Sequence, residues 1–436
     1  MKDSSDDTLS LHSRYKWYVV GMLWWISFFN YADRQAIFSV FDVLYKEMDL
    51  GVGDRGLLGS SFALVYGLAA PFAGFVVDRV RRKTAILGGL QVWSLICIAT
   101  AWSRNLRQLL FFRAAEGLGE TFYYPASVSM LSDYHGKTTR SRALGIHQTS
   151  VYLGTIGGGF FAGFIGEHYG WRWSFIVFGG MGVLLGIVLH RFLREPARGA
   201  SESASIQAPL PTVPPKRLSV RQVAALIWNR PTVLLLMMAF ICANYVAMVL
   251  LSWMPTYLRE GFGLSLAMAG LAATVYAQLA SMVGAFLGGW AADLLRMRIA
   301  GGRALVQCFG VLLGAPFVFL CGQTQSMATV ALALTAWGLF KGLYDANIFA
   351  SVFDVVQPEA RGTLAGLMNM VGWVGGGAVA PIAVDYLSSY YGLGPAISSA
   401  AFVYVAAGVF LLVAGLVFVR HDIARMGDEQ KVAPAV

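Results

Sequence analysis

Apolar residues run along this chain in blocks of about 20, separated by short polar stretches, and a helix of that length spans the hydrocarbon of a bilayer. Read this way, the sequence predicts helices near 17–40, 55–77, 84–102, 107–131, 142–164, 171–193, 232–257, 267–292, 303–322, 327–354, 362–386 and 395–419. That makes twelve spans. One polar interruption is long, from Arg194 to Arg230; it contains SESASIQAPLPTVPPKR and reads as a flexible linker. The expected organisation is an all-α membrane protein of two six-helix halves. Residues 1–193 form the first bundle, 194–230 the linker and 231–436 the second bundle. Met1 to Ser13 is polar and acidic, without the apolar centre of a signal peptide, so the first apolar run is expected to remain as a membrane helix.

Composition supports lipid as the solvent. The chain is 57% hydrophobic and 13% charged, where a soluble globular protein carries about 25% charged residues. Its 49 glycines suit helices that approach closely inside a membrane. The formal charge of +9 would suit nucleic acid if it formed one patch, but the basic residues are scattered between apolar runs, so no nucleic-acid partner is expected. Their placement instead gives an orientation. Twenty-four Lys and Arg residues fall on the side holding both termini and the linker, and six on the other. By the positive-inside rule both termini are cytoplasmic, in the cell's inner (plasma) membrane. Cys97, Cys242, Cys308 and Cys321 sit inside apolar runs with no ligand spacing and read as small hydrophobes. Trp17, Trp171 and Trp253 lie near span ends and read as interface anchors.

Ionisable residues inside spans are few: Asp33, Arg34, Arg113, Glu116, Glu120, Lys341 and Asp345, with His147 nearer one end. Each costs about 2.5–3.5 kcal/mol at mid-helix on insertion scales, so such groups persist where they pair or line a cavity. Arg113, Glu116 and Glu120, spaced three and then four residues apart, share one helix face. Asp33 and Arg34, about 100° apart, cannot face one point. Arg34 and Arg113 are candidate carboxylate clamps, because the planar guanidinium binds a carboxylate in two places. Asp33 and Glu120 are candidate proton carriers. The static alternative ties Arg113 to Glu116 or Glu120 for packing alone. Lys341 and Asp345 are four residues apart; they either neutralise each other or set Lys341 toward an anion with Asp345 tuning it. Gln148, Asn244, Tyr245, Asn347 and Asn369 are polar groups near the expected midplane, each a substrate contact or an interhelical hydrogen bond. Tyr31 and Tyr344 are candidates to bracket a substrate.

The halves echo each other. Gly74-Phe-Val-Val-Asp78-Arg79 after the second span corresponds to Gly289-Trp-Ala-Ala-Asp293 at the end of the eighth. Arg142-Ala-Leu-Gly with Gly157-Gly-Gly159 corresponds to Arg361-Gly-Thr-Leu with Gly375-Gly-Gly377. Six-span repeats around a midplane site are a transporter architecture. With GFVVDRVRRK (Gly74 to Lys83) and Arg113-Ala-Ala-Glu-Gly117-Leu-Gly119, the chain resembles the major facilitator superfamily over nearly its full length. That resemblance implies a gate latch at Asp78, Arg79 and, in the second half, Asp293.

Within the superfamily, Asn30-Tyr31-Ala32-Asp33-Arg34, Arg113 with Glu120 and Tyr124-Pro125 are similar to the anion:cation symporters, which carry sugar acids and other carboxylates. A spinster-like branch, linked to lysolipids and sphingolipids, shares the first-helix motif and is the alternative. Lys341 and Asp345 are not expected from the anion family. The sequence therefore points to proton-coupled symport of a small organic anion by alternating access, in a monomer surrounded by lipid. No Walker loop, nucleophile elbow or His/Cys metal set is present, so neither an enzyme, a cofactor nor a metal is expected.

Overall fold

The computed structural model describes residues 3–77, 79–136, 138–196 and 220–432. The described chain is helical, and nine of its helices are long and apolar enough to cross a membrane. Large apolar side chains face outward along them, among them Phe72, Leu95, Ile187, Phe286, Phe402 and Leu416. A surface of that kind is stable only against lipid.

The first half holds α1 (Asp3–Ser39), a short α2 (Phe41–Glu47), α3 (Asp54–Val77), α4 (Arg82–Thr100), α5 (Leu106–Glu120), α6 (Tyr123–Tyr134), α7 (Arg140–Tyr169) and α8 (Trp171–Phe192). The run expected as one helix over 107–131 is two, broken at Thr121 and Phe122. Pro125 explains the break, since its nitrogen cannot donate to the carbonyl of Thr121. In the linker, residues 220–229 form helix α9 (Val220–Asn229), where Leu226 and Ile227 are half-buried; residues 197–219 lie outside the described part.

The second half holds α10 (Pro231–Phe262), α11 (Leu266–Arg296), α12 (Gly302–Gln323), α13 (Met327–Asp345), α14 (Ile348–Asp354), α15 (Pro358–Val371), α16 (Val379–Tyr391), α17 (Leu393–Val413) and α18 (Val419–Val432). A wide π-type turn, Gly372–Gly377, joins α15 to α16. Pro381 removes the hydrogen bond that would otherwise return to Gly377, which favours the wider turn there. A second such turn, Ala414–Phe418, joins α17 to α18.

Packing repeats between halves. α3 packs on α5 as α11 packs on α13, and α4 packs on α8 as α12 packs on α17. Gly170 and Gly392 hold the equivalent turns before α8 and α17 at φ 92° and 83°, a region in which a side chain is strained. The halves meet through α7 against α11 and α3 against α15 and α16. At the first seam, Gly159 and Gly270 touch backbone to backbone, and a methyl on either would overlap the other's carbonyl. One core cluster runs through both halves; a second, from Val19 and Leu23 to Ile86, Met130 and Leu189, contains first-half residues alone.

The end away from the linker is closed by contacts across the halves. Arg259 Nε pairs with Asp42 at 3.1 Å, Arg55 with Glu260 at 3.7 Å and with Asp385 at 3.8 Å, and the Gly56 N–H donates to Asp385 at 2.8 Å. At the linker end, among the described residues, the pairs made by Arg82 and Arg303 do not cross between the halves. Arg82 pairs with Asp133 and, at 3.3 Å, with Glu195. Arg303 pairs with Asp354 at 3.0 Å and Asp293 at 2.8 Å. Arg82–Asp133 and Arg303–Asp354 are equivalents in the repeat. Two of the expected interface anchors are buried instead: Trp171 is 1% exposed and donates to Glu47 at 2.7 Å, and Trp253 is 0% exposed.

Candidate functional site

Between the halves lies a cavity of about 490 Å³, in the range of small-molecule sites. Its floor faces the closed end, where Gln35 donates across the halves to the Leu251 carbonyl at 3.0 Å. From there it extends toward the linker end, past Ala285 and Asn369.

Arg34, from α1, lines the cavity; its Nε donates to Glu120 at 2.5 Å. Four rings surround its guanidinium: Tyr66 at 4.5 Å, Tyr31 at 4.7 Å, Phe62 at 5.0 Å and, from the opposite half, Trp373 at 5.6 Å. Cation–π attraction of this kind holds the guanidinium without consuming its N–H donors. Nη1 of Arg34 has no hydrogen-bond partner within the described residues, nor has Oε1 of Glu120. The clamp is therefore held by rings and by one acid, with a donor left over.

Arg113 also reaches the cavity, with its guanidinium 5.0 Å from the same Phe62 ring that Arg34 approaches. Arg113 pairs with Glu116, both 1% exposed. Asp33 sits behind Arg34 and accepts from the Cys97 thiol at 3.2 Å. One ligand atom each from Asp33, Cys97 and Glu116 fall within 4.8 Å of one another. Asp33, Glu116 and Glu120 thus form an acidic layer outside the cavity wall, with the two arginines in front of it.

The opposite wall carries Lys341 and Asp345 on α13, paired with each other. Gly338 and Gly342 let α13 lie directly on the α11 backbone at Ala277 and Ser281, which fixes where these two side chains project. Tyr31, Gln148, Asn244, Tyr344 and Asn369 also line the cavity. Tyr245 is not part of the wall, and Asn347 spends its amide on the carbonyls of Gly288 and Leu343. His147 lies behind the wall against the Tyr123 hydroxyl at 2.9 Å. That hydroxyl donates to the Leu23 carbonyl, so Nε2 of His147 carries the proton and donates to it. Of the expected latch, Asp78 lies outside the described residues, Arg79 donates to the Phe75 carbonyl at 2.9 Å, and Asp293 pairs with Arg303.

Sequence reasoning did not single out Gln35, Phe62, Tyr66, Tyr152 or Trp373, which line the cavity, nor Arg55, Asp42, Arg259 and Asp385, which close its far end. The spacing of Phe62 and Tyr66 on one helix face was a signal available in the sequence. The cross-half ion pairs left none, because their partners lie more than 200 residues apart.

Comparison with known proteins agrees with this architecture. The protein spinster of Drosophila melanogaster is 26% identical over 398 residues, covering 87% of this chain but 63% of the fly protein. The hexuronate transporter of Bacillus subtilis (strain 168) is 26% identical over 83% of this chain and 85% of its own length. The crystal structure of a bacterial homologue of the human lysosomal transporter spinster superposes with a TM-score of 0.77 at 22% identity, covering 97% of this chain and 99% of that one. The family model of the Major Facilitator Superfamily matches residues 23–381 and 258–433. The chain is a multi-pass membrane protein and belongs to the Major Facilitator Superfamily.

Proposed function

We propose that the protein is a secondary transporter that carries a small organic anion together with protons by alternating access. The carrying observation is the layered wall of the cavity: two arginines in front, three carboxylates behind, between halves tied together by ion pairs at the end away from the linker. A substrate carboxylate approaching Arg34 competes with Glu120 for the guanidinium. When it wins, Glu120 loses its counter-charge in a buried site, and a proton replaces it. Loading of anion and proton are then linked, since each favours the other. Asp33 lies behind Arg34 and completes the proton path, with Glu116 fixing Arg113.

In this reading twelve helices cross an inner membrane with both termini in the cytoplasm, and the cavity opens toward the cytoplasm. α1, the broken α5–α6 pair and α7 supply the three remaining crossings. Asp78, Arg79 and Asp293 serve the gate on the linker side. The functional unit is a monomer. The relatives named above include a hexuronate transporter, which supports a carboxylate cargo.

The aromatic lining and the similarity to spinster favour one second reading, a carrier of lysolipids. The test is counterflow of labelled carboxylates and lysolipids in proteoliposomes, with and without a pH gradient and in sodium-free buffer. Uptake of a carboxylate driven by the pH gradient supports the proposal; transport of lysolipid alone, or of carboxylate indifferent to the gradient, overturns it.

A further inference from the structure

The two walls of the cavity present charge in opposite order. On the first-half wall the cations Arg34 and Arg113 line the cavity and their acids do not; the Arg34 side chain is 10% exposed and Glu120 is 0%. On the second-half wall both members of the pair line the cavity, but the acid leads: the Asp345 side chain is 34% exposed and Lys341 14%. A ligand lying between these walls meets a guanidinium on one side and a carboxylate on the other.

Asp345 is also the last residue of α13. The C-terminal end of a helix carries partial negative charge, so a cation is favoured there and an acid is not. Asp345 breaks that rule, and no basic residue stands in the last turn of α13 to offset it. An acid placed against its helix dipole, and exposed to a cavity rather than hidden behind its lysine, is poorly explained by helix stability. It is well explained by a cationic guest, which would gain from the carboxylate and the helix end together.

We propose that the cargo is a zwitterion with its charges at opposite ends, a carboxylate held at Arg34 and an ammonium held at Asp345. This rests on the carboxylate reading of Arg34 given above and narrows it. Because the two anchors stand on different halves, an ω-amino acid or a short peptide fits better than an α-amino acid, whose charges are adjacent. Such a ligand also ties the halves together when bound. Lys341 keeps Asp345 paired while the site is empty and gives it up to the incoming ammonium.

The test uses matched ligands on the full-length protein in lipid nanodiscs: ε-aminocaproate, caproate and adipate, followed by shorter and longer members of each series and by dipeptides. Binding is measured by calorimetry and transport by counterflow. At the best-fitting length the amino acid is expected to bind about tenfold tighter than the simple carboxylate, or about 1.4 kcal/mol. In the double variant Lys341→Met/Asp345→Asn, which removes the pair without leaving a lone charge, that ratio should fall to about one. If dicarboxylates bind tightest, Lys341 is a second anion site and the proposal is wrong. If simple carboxylates bind as well as the amino acids at every length, the zwitterion fails while the carboxylate reading stands. If no ligand of the series binds, both fail.

Discussion

The two walls of the cavity solve one problem differently. Both must hold charge in a place where it is expensive. The first half does so in depth, with five ionisable groups in a buried layer, two arginines facing the cavity and aromatic rings around one of them. The second half uses a single pair within one helix, both members partly exposed. A deep layer lets charge be rearranged out of sight of water, which suits the exchange of an anion for a proton proposed above. A surface pair suits recognition, because either member is within reach of a ligand. The asymmetry is the more telling because the helix packing around both walls is nearly symmetric.

The sharpest way to break that contrast is at Arg34. Arg34→Lys keeps the charge and loses the planar fork, so transport should fall to background and carboxylate binding should weaken tenfold or more by calorimetry, about 1.4 kcal/mol. Unchanged affinity would move the anion site to Lys341 and invert the assignment of the walls. Next in size is the acidic layer. Glu120→Gln imitates the protonated acid, so exchange of labelled substrate across the membrane should persist while accumulation driven by a pH gradient is lost. Asp33→Asn should behave the same way or more severely. Gradient-driven accumulation surviving in both variants would leave the layer a packing device.

A smaller effect is expected on the second wall. Lys341→Met leaves Asp345 without its partner and should lower thermal stability by about 1–2 kcal/mol, and adding Asp345→Asn should restore most of it. No recovery in the double variant would show that Lys341 has partners beyond Asp345.

The smallest effect concerns the seal that holds the walls together at the closed end. Asp42 lies on α2, outside the membrane-crossing helices. Burial and the neighbouring Glu260 push its carboxyl above the usual range, against the pull of Arg259, Arg55 and Lys46. A group that holds its proton better in the closed form favours closure when protonated, so closure is strongest in acid and weakens as pH rises through the raised value. Labelling of a cysteine placed beside Asp42 should therefore quicken modestly with pH, after correction for thiol reactivity, and Asp42→Asn should flatten that dependence. An opposite slope would mean that the ion pair with Arg259 outweighs burial.

Much of this was legible in the sequence, for physical reasons. Apolar runs of bilayer length mark helices, and charges that lipid penalises mark the cavity region, so Arg34, Arg113 and Lys341 in its wall and Glu120 behind it stand out in the sequence. What the sequence concealed is order in space. Asp33 and Arg34 are neighbours in the chain, yet one is in the wall and the other behind it, a distinction set by rotation about the helix axis. Asn347 reads as a midplane polar group because its use, to bind Gly288 and Leu343 at a helix break, depends on a bend invisible in composition. Trp373 reads as an ordinary apolar residue, and only the wide turn at Gly372–Gly377 brings it over Arg34. The pairing of Arg82 with Asp133 and of Arg303 with Asp354 required both ends of the repeat to be folded before it could be seen.

The backbone contact between Gly159 and Gly270 has a consequence for how such a protein can change over generations. A pair of opposite charges can be repaired after one member mutates, by altering the other. A gap between two glycines offers no such route, because neither residue has a side chain left to surrender: a methyl on one meets the other's carbonyl, and no substitution opposite makes room. The charged walls are therefore free to drift together, while this stretch of α7 and α11 can only stay as it is or be lost, so the contact between the halves outlasts the chemistry beside it.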